Sequence, residues 1–420
     1  MEANEMKIAW SGTHTNGKAL PILINAMALI KRNHNNSHQS SISQPSTSAF
    51  DLITVDVLGI GPKTDAWKKL AEKCGVDGRF IWHGWIQKDE AVKIVGEADI
   101  FVITSLKDLT SAVLMEAIGN GKPVVCLDHC GFATVIDETC GIKIPLGKSQ
   151  DIIKGFAEAI VRLTNDEYRK QLSAGALKRA EEYRWSANKA KLMNILNSCD
   201  KKVLVSAYAC SPYRGSEPGM GWNYLQAVAE HNEVWAIVEE EKWKSDIEKF
   251  IHNSSSFILN PSLKNIHWIF IHKPRARWLR KIWPPSYYWF YRIWQWKAYK
   301  EALKLHKEVK FDLVYQLTMT GFREPGYLWK LDAPFAWGPI GGNVNVDWRL
   351  MPLAGLNGAL EYAARNIINW LHCHFLRRPR LAARRASNYG MLMASTAEIA
   401  SASKRLWNAN AHVLCENGVS

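Results

Sequence analysis

Short apolar runs at residues 8–10, 53–58, 80–82, 100–103 and 124–127 alternate with stretches of helical periodicity at 19–31, 65–73, 88–95 and 111–118. Runs this short and this evenly apolar suit strands covered on both faces, and strand–helix alternation supplies the crossovers a parallel sheet requires. Helical patterns at 152–164, 166–183 and 188–196 close that half of the chain. The pattern then starts again. Residues 202–208 read as a first strand, the segment with Gly215, Gly219 and Gly221 as a glycine-rich turn, 223–231 as a helix and 234–238 as a strand. Residues 311–316 and 335–337 read as later strands of the same sheet, and 387–395 leads into another. The expectation is an α/β protein with two doubly wound parallel-sheet domains, at 1–199 and 200–420. A chain of 420 residues exceeds one comfortable core and suffices for two. Residues 33–49, rich in Ser, Asn and Gln and lacking periodicity, are expected to form a floppy surface insertion.

Charge separates the halves. Residues 1–200 hold 24 Lys+Arg and 23 Asp+Glu, leaving 29 basic and 17 acidic residues of the chain's 53 and 40. Tryptophan is skewed the same way, with 5 of 19 in the first half. One half is near neutral and the other basic and aromatic, which fits a division of labour. A hydrophobic content of 47% against 22% charged residues excludes a disordered chain. The eight cysteines contain no CxxC pair and suit reduced intracellular thiols. Cys126, His129, Cys130 and Cys140 have the chemistry of metal ligands, but their spacing fits no standard site, and no metal is expected. Residues 1–7 are polar and acidic, unlike a signal peptide, and no window offers the roughly 20 apolar residues of a membrane span. The expected location is cytoplasmic.

The strongest local signal is S-L-K-D-L-T-S-A-V-L-M-E-A-I-G-N-G-K-P-V, beginning at Ser105. A strand ends just before it, a turn carries Asp108, and a helix starts near Thr110. Unpaired N–H groups and the positive end of the dipole at such a start favour a diphosphate. Asp108 and Glu116 lie eight residues apart, about 80° around a helix. That spacing suits two carboxylates gripping opposite ends of one ligand, with Glu116 accepting hydrogen bonds from a ribose diol. Taken singly, each is equally well explained as a solvated surface carboxylate.

This stretch resembles the acidic-x7-Glu motif of the family 4 (group 1) retaining glycosyltransferases, and the resemblance covers most of residues 6–195. W-S-G-T-H-T-N-G-K-A-L from Trp10 is similar to the family's donor-domain opening, a strand, a glycine turn at Gly12 and Thr13, and a phosphate-binding lysine, Lys18. V-L-G-I-G-P from Val57, with Gly59, is similar to its second-strand turn. His83, Gly84 and Trp85 stand where the family packs the nucleotide base, and A-D-I-F-V from Ala98 is similar to the strand before the acidic motif. In the second half, S-P-Y-R-G-S-E-P-G-M-G-W from Ser211, with Glu217, Gly219 and Gly221, resembles the glycine-rich loop of the acceptor domain. F-D-L-V-Y-Q-L-T from Phe311 and W-G-P-I-G-G from Trp337 resemble loops that face the cleft, and E-N-G-V from Glu416 resembles the link from acceptor to donor domain. The resemblance implies the GT-B fold, two Rossmann-like domains facing a cleft. Here the donor domain precedes the acceptor domain, so the order is that of a circular permutant. The alternative is a fragment of two adjacent glycosyltransferase genes.

The resemblance further implies transfer of a sugar from a UDP-sugar or GDP-sugar to a glycan or lipid-linked acceptor, with retention of configuration and without a metal or other cofactor. It assigns Lys18 to the phosphates, Glu116 to the ribose, Asp108 to the donor sugar, and the Leu109 and Thr110 backbone to sugar or phosphate. Thr13 replaces an arginine common in the family, and Gln316 stands where a histidine is common. Those two departures keep a non-catalytic sugar-nucleotide-binding protein in view.

Residues 275–307, RARWLRKIWPPSYYWFYRIWQWKAYKEALKLHK, mix Trp and Tyr with Arg and Lys, a composition that favours a membrane interface. Peripheral contact with an anionic membrane is the expectation. A core helix with a solvated basic edge is the alternative. No recognised nucleic-acid-binding fold accompanies the segment, and no nucleic-acid partner is expected.

Overall fold

The computed structural model of the chain describes residues 5–38, 49–253, 260–283 and 285–419. It divides into two compact units. The first comprises Met1–Arg184, Asn345–Ile368 and Val419–Ser420, and the second Trp185–Val344 and Asn369–Gly418. The units therefore exchange segments across the expected division at 199/200. Burial explains the exchange: Leu192 and Leu196 of helix Trp185–Leu196 join the apolar core of the second unit. Val346, Leu350, Met351 and Tyr362 join the core of the first.

In the first unit, β1 (Met6–Ser11), β2 (Ile53–Leu58), β3 (Phe80–Gly84), β4 (Ile100–Ile103), β5 (Val124–Leu127) and β6 (Gly141–Ile144) form one sheet in the order β3-β2-β1-β4-β5-β6. Every pairing in it is parallel. β4 and β5 are buried at every residue, which is why their sequences are continuous apolar runs rather than alternating ones. In the second unit, β7 (Lys202–Ala207), β8 (Glu233–Glu239), β9 (Ile266–Ile271), β10 (Leu313–Thr318), β11 (Phe335–Ile340), β12 (Leu392–Ala394) and β13 (His412–Val413) pair in the order β13-β12-β11-β10-β7-β8-β9. These pairings too are all parallel. Each sheet grows outward from its first strand and then restarts on the other side of it. The switch points lie between β1 and β4 in one unit and between β7 and β10 in the other, and ligands of such sheets bind outside the carboxyl ends of those strands.

Two local expectations change. The helix expected at 19–31 runs over Pro21–His38, so 33–38 of the expected insertion are helical, and 39–48 lie outside the described residues. Its face of Ile22, Leu23, Ala26, Met27 and Ile30 is buried, and a helix nucleated by that face extends cheaply by one hydrogen bond per residue. The glycine-rich turn expected before residue 223 is mostly helix, Ser216–Ala229. Gly219 and Gly221 serve close packing there: a methyl group on Gly221 would run into the carbonyl oxygen of Ala209.

Candidate functional site

The loops that follow β1 and β4 are tied together at the switch point of the first unit. Trp10 Nε1 donates to Thr104 Oγ1 at 2.9 Å, and that hydroxyl donates to the Lys18 carbonyl at 2.6 Å. Leu106 N donates to the Gly17 carbonyl at 2.8 Å. Trp10 and Thr104 are fully buried, so these bonds fix the backbone of the lysine loop rather than frame a mobile turn. The outcome is an ion pair: Lys18 Nζ lies 2.6 Å from Asp108 Oδ2, while Asp108 Oδ1 accepts from Leu109 N at 3.0 Å. The lysine and aspartate side chains are 28% and 24% exposed, open enough to meet a ligand.

Glycines let three strand ends converge beside this pair. Gly12 N donates to the Leu58 carbonyl at 3.1 Å, and Gly59 N to the Gly84 carbonyl at 2.8 Å. Gly59 has φ +110°, and a side chain there would meet the Gly12 carbonyl, so no other residue fits. Thr13 is exposed, and Trp85, just past Gly84, is 66% exposed. Behind the loop, His14 is enclosed by the rings of Trp10, Trp67 and Trp82, with Nδ1 2.8 Å from Thr64 Oγ1. Burial, assisted by Lys68, pushes His14 down to about 4, so it is neutral at neutral pH.

Asp108 stands in the loop and Glu116 in the second turn of helix Ala112–Gly119. The helix is shorter at its start than the 80° argument needs, so the pair does not share one helical face. Ser111 occupies the N-cap with extended backbone and makes no side-chain cap to the helix. Its first turn is left to other acceptors. Burial raises the Glu116 carboxyl, opposed by Lys88, whose Nζ lies 4.0 Å from Oε1. Two participants escaped the sequence reading. Gly131 N donates to the Leu109 carbonyl at 3.1 Å, and a side chain on Gly131 would collide with Leu109 and Thr110. His129, weighed only as a metal ligand, has Nε2 3.1 Å from the Ser105 carbonyl, and burial lowers its pKa. Among the described residues no group of three or more His, Cys, Asp or Glu is placed to hold a metal ion. None of the eight cysteines forms a disulfide.

In the second unit the switch-point loops are tied by one buried and one part-buried bond. Ala209 N donates to Thr318 Oγ1 at 3.1 Å, and Thr320 N donates to Glu217 Oε1 at 2.6 Å. Burial raises the Glu217 carboxyl, with the Thr320 amide opposing. Gln316 lies within β10, 2% exposed, and its Nε2 donates to the Thr318 carbonyl at 2.6 Å. The structure therefore places Gln316 in the sheet interior. Lys18, Asp108, Leu109 and the glycines Gly12, Gly59 and Gly84 come together in the first unit. Glu217, Gly219 and Gly221 come together in the second.

The lysine–carboxylate pair and the helix start without a side-chain cap thus lie at the switch point, where ligands of doubly wound sheets bind. Residues 5–166 match the family described as glycosyl transferases group 1. The lipopolysaccharide core biosynthesis glycosyltransferase LpsE of Rhizobium meliloti (strain 1021) is 31% identical over 111 residues, 26% of this chain and 31% of that protein. A D-inositol 3-phosphate glycosyltransferase of Corynebacterium aurimucosum is 28% identical over 139 residues, 33% of this chain and 32% of that protein. The chain thus spans about a third of the length of these curated relatives. The crystal structure of the pneumococcal O-GlcNAc transferase GtfA with UDP and GlcNAc is 16% identical at a TM-score of 0.36. That match covers 43% of this chain and 33% of that one.

Proposed function

We propose that the chain moves a hexose-type unit from a UDP-sugar or GDP-sugar to a glycan or lipid-linked acceptor, with retention of configuration. In this reading the first unit holds the donor and the second the acceptor, in the donor-first order of a circular permutant of the GT-B fold. The observation that carries it is the Lys18–Asp108 pair at the β1/β4 switch point, inside the segment that matches the group 1 glycosyltransferases. Breaking a sugar–phosphate bond builds negative charge on the departing nucleoside diphosphate. A fixed ammonium and the start of helix Ala112–Gly119 stabilise that charge as it develops, and the reading requires no metal. Lys18 engages the phosphates and releases Asp108 to the hydroxyls of the donor sugar. The Leu109 and Thr110 backbone meets sugar or phosphate, Glu116 accepts from the ribose diol, and Trp85 packs on the base. Gly12, Thr13, Gly59 and Gly84 let backbone approach the ligand. Glu217, Gly219 and Gly221 shape the acceptor loop, and Gln316, bonded to the Thr318 carbonyl, is a positioning residue behind it.

The name of one relative, a lipopolysaccharide core biosynthesis glycosyltransferase, supports a glycan or lipid-linked acceptor. Peripheral contact with the cytoplasmic face of an anionic membrane through 275–307 is supported by Trp278, Ile282, Trp283, Tyr288 and Trp289, all exposed beside basic residues. Calorimetric titration of the intact chain and of Lys18→Ala with UDP and GDP tests the donor site. Binding of one nucleotide, weakened by the substitution, is expected, and no binding of either overturns the reading. A non-catalytic sugar-nucleotide binder is the second reading, supported by Thr13 and the interior position of Gln316. It predicts binding without hydrolysis of UDP-sugar or GDP-sugar.

A further inference from the structure

At the end of β9 the second unit encloses a cavity of about 130 Å³, lined by Lys242, Lys273, Arg275, Arg280, Ser286 and Tyr287 among others. Its charge is unbalanced. Arg275 is neutralised, with Nη2 2.7 Å from the fully buried Glu239 and Nη1 3.0 Å from Glu241. Lys242, Lys273 and Arg280 have no carboxylate within 4.0 Å among the described residues, so three cations converge on one small space without counterions. Lys273 is the unusual one: it is 3% exposed, its Nζ donating to Tyr208 Oη at 2.9 Å and lying 3.8 Å above the Tyr287 ring. An ammonium taken out of water without an anion is costly, and burial together with Arg275, Lys242 and Arg280 pushes this one down to about 8, against the opposing pull of Glu239.

A second observation points into the same cavity. Ser286 is fully buried, and its Oγ has no hydrogen-bond partner. It is the first residue of the 24-residue helix Ser286–Val309, which has no side-chain cap and no acidic residue in its first turn. A buried hydroxyl without a hydrogen-bond partner, at the positive end of a long helix and beside three cations that have no carboxylate within 4.0 Å among the described residues, makes a convergent set of donors. The shape, charge and donor count suit a compact oxyanion with several acceptor oxygens.

We propose that this cavity binds a phosphate group, as a monoester or a diphosphate terminus, through Lys242, Lys273, Arg280 and the Ser286 hydroxyl. The site lies wholly in the second unit and stands independently of the donor site at Lys18. The test is calorimetric titration of the full chain with inorganic phosphate, pyrophosphate and glycerol 3-phosphate, on wild type, Arg280→Ala, Lys242→Ala, Ser286→Ala and Lys18→Ala. Lys242 and Arg280 are exposed, so their replacement spares the fold. Each of the three cavity variants is expected to weaken phosphate by about tenfold or more, in the wild-type background and in the Lys18→Ala background alike, the latter removing any contribution of the donor site. Preference for the free ion names inorganic phosphate as the occupant, and preference for glycerol 3-phosphate names a phosphate carried by an organic molecule. Absence of binding at millimolar phosphate, or equal affinity in wild type, Arg280→Ala and Ser286→Ala, overturns the site. Loss of UDP binding with phosphate binding intact would strike the donor reading alone.

Discussion

The two sheets share one strand order and treat their switch points differently. Between β1 and β4 the loops present a charged pair that is still a quarter exposed, Lys18 and Asp108. Between β7 and β10 the loops are closed by Glu217 on the Thr320 amide and Thr318 on the Ala209 amide. Unpaired cationic charge gathers instead at the end of β9, around Lys273. The strand order fixes where a ligand can sit, and the loops decide what it is. Near-neutral composition in the first half and excess basic charge in the second are the sequence-level trace of that difference.

The largest expected effect breaks each region by its backbone alone. Gly59→Ala forces a side chain onto Gly12 at φ +110°, and Gly221→Ala forces one onto Ala209. Each should cost about 3 kcal/mol or more. Scanning calorimetry should show Gly59→Ala lowering a transition that Gly221→Ala leaves in place, and the reverse. If both substitutions lower one shared transition equally, the two units melt as one and the comparison of separate bodies fails.

Next in size is the donor pair. Lys18→Ala should weaken UDP or GDP by about 10- to 100-fold, the worth of a charge-assisted bond to phosphate. Arg280→Ala should leave that affinity unchanged. Asp108→Asn frees the lysine from its ion pair, so nucleotide affinity should hold or rise while turnover of the donor sugar falls. Equal loss of nucleotide affinity in Lys18→Ala and Arg280→Ala would mean that one site serves both observations.

Much of the first unit was legible because its strands are buried on both faces. The runs at 53–58, 100–103 and 124–127 coincide with β2, β4 and β5. β6 was not legible, because Gly141 and Lys143 interrupt its apolar pattern, and β9 was hidden by His267 and by the aromatic residues around it. The spacing of Asp108 and Glu116 located the switch-point loop without revealing that Asp108 is bound to Lys18, a contact 90 residues distant in sequence. Gly219 and Gly221 signalled a close approach, but sequence cannot distinguish a turn from helix-on-loop packing. Thr104, His129 and Gly131 act through contacts to residues distant in sequence, which leave no periodic trace.

A smaller effect separates two half-buried carboxyls. Burial raises both Glu116 and Glu217, so the folded chain holds each proton more tightly than the unfolded chain. Their stabilising contribution is fully present below the unfolded value of 4.5 and is lost as pH rises through the raised folded value. Glu116→Gln and Glu217→Gln should therefore each raise the melting temperature at pH 7 and change it little at pH 4. Nucleotide affinity distinguishes them: Glu116→Gln should weaken it at pH 7 by about fivefold, the amide oxygen still accepting a weaker, neutral hydrogen bond, and Glu217→Gln should not. Unaltered affinity in Glu116→Gln would remove the ribose from its assignment.

The smallest expected effect concerns the aromatic surface of the second unit. Helix Ser286–Val309 is divided by face: Tyr291, Trp294, Gln295, Ala298 and Ala302 are buried, whereas Tyr288, Trp289 and Trp296 are exposed. The buried face gives the core-helix expectation a physical counterpart, and the exposed face is where the proposed membrane contact would act. Trp278, 66% exposed, and Trp289, 48% exposed, touch lipid if the exposed face meets a membrane. Replacing either with Ala should then reduce sedimentation with vesicles rich in anionic lipid by about threefold, and 0.5 M salt should reduce it further through screening of the basic residues. Neutral vesicles should retain little of the protein. Binding that survives both Trp278→Ala and Trp289→Ala, or that ignores salt, would leave the face as ordinary solvent-exposed aromatic surface. The contrast between the units would then rest on their switch points and the Lys273 cavity alone.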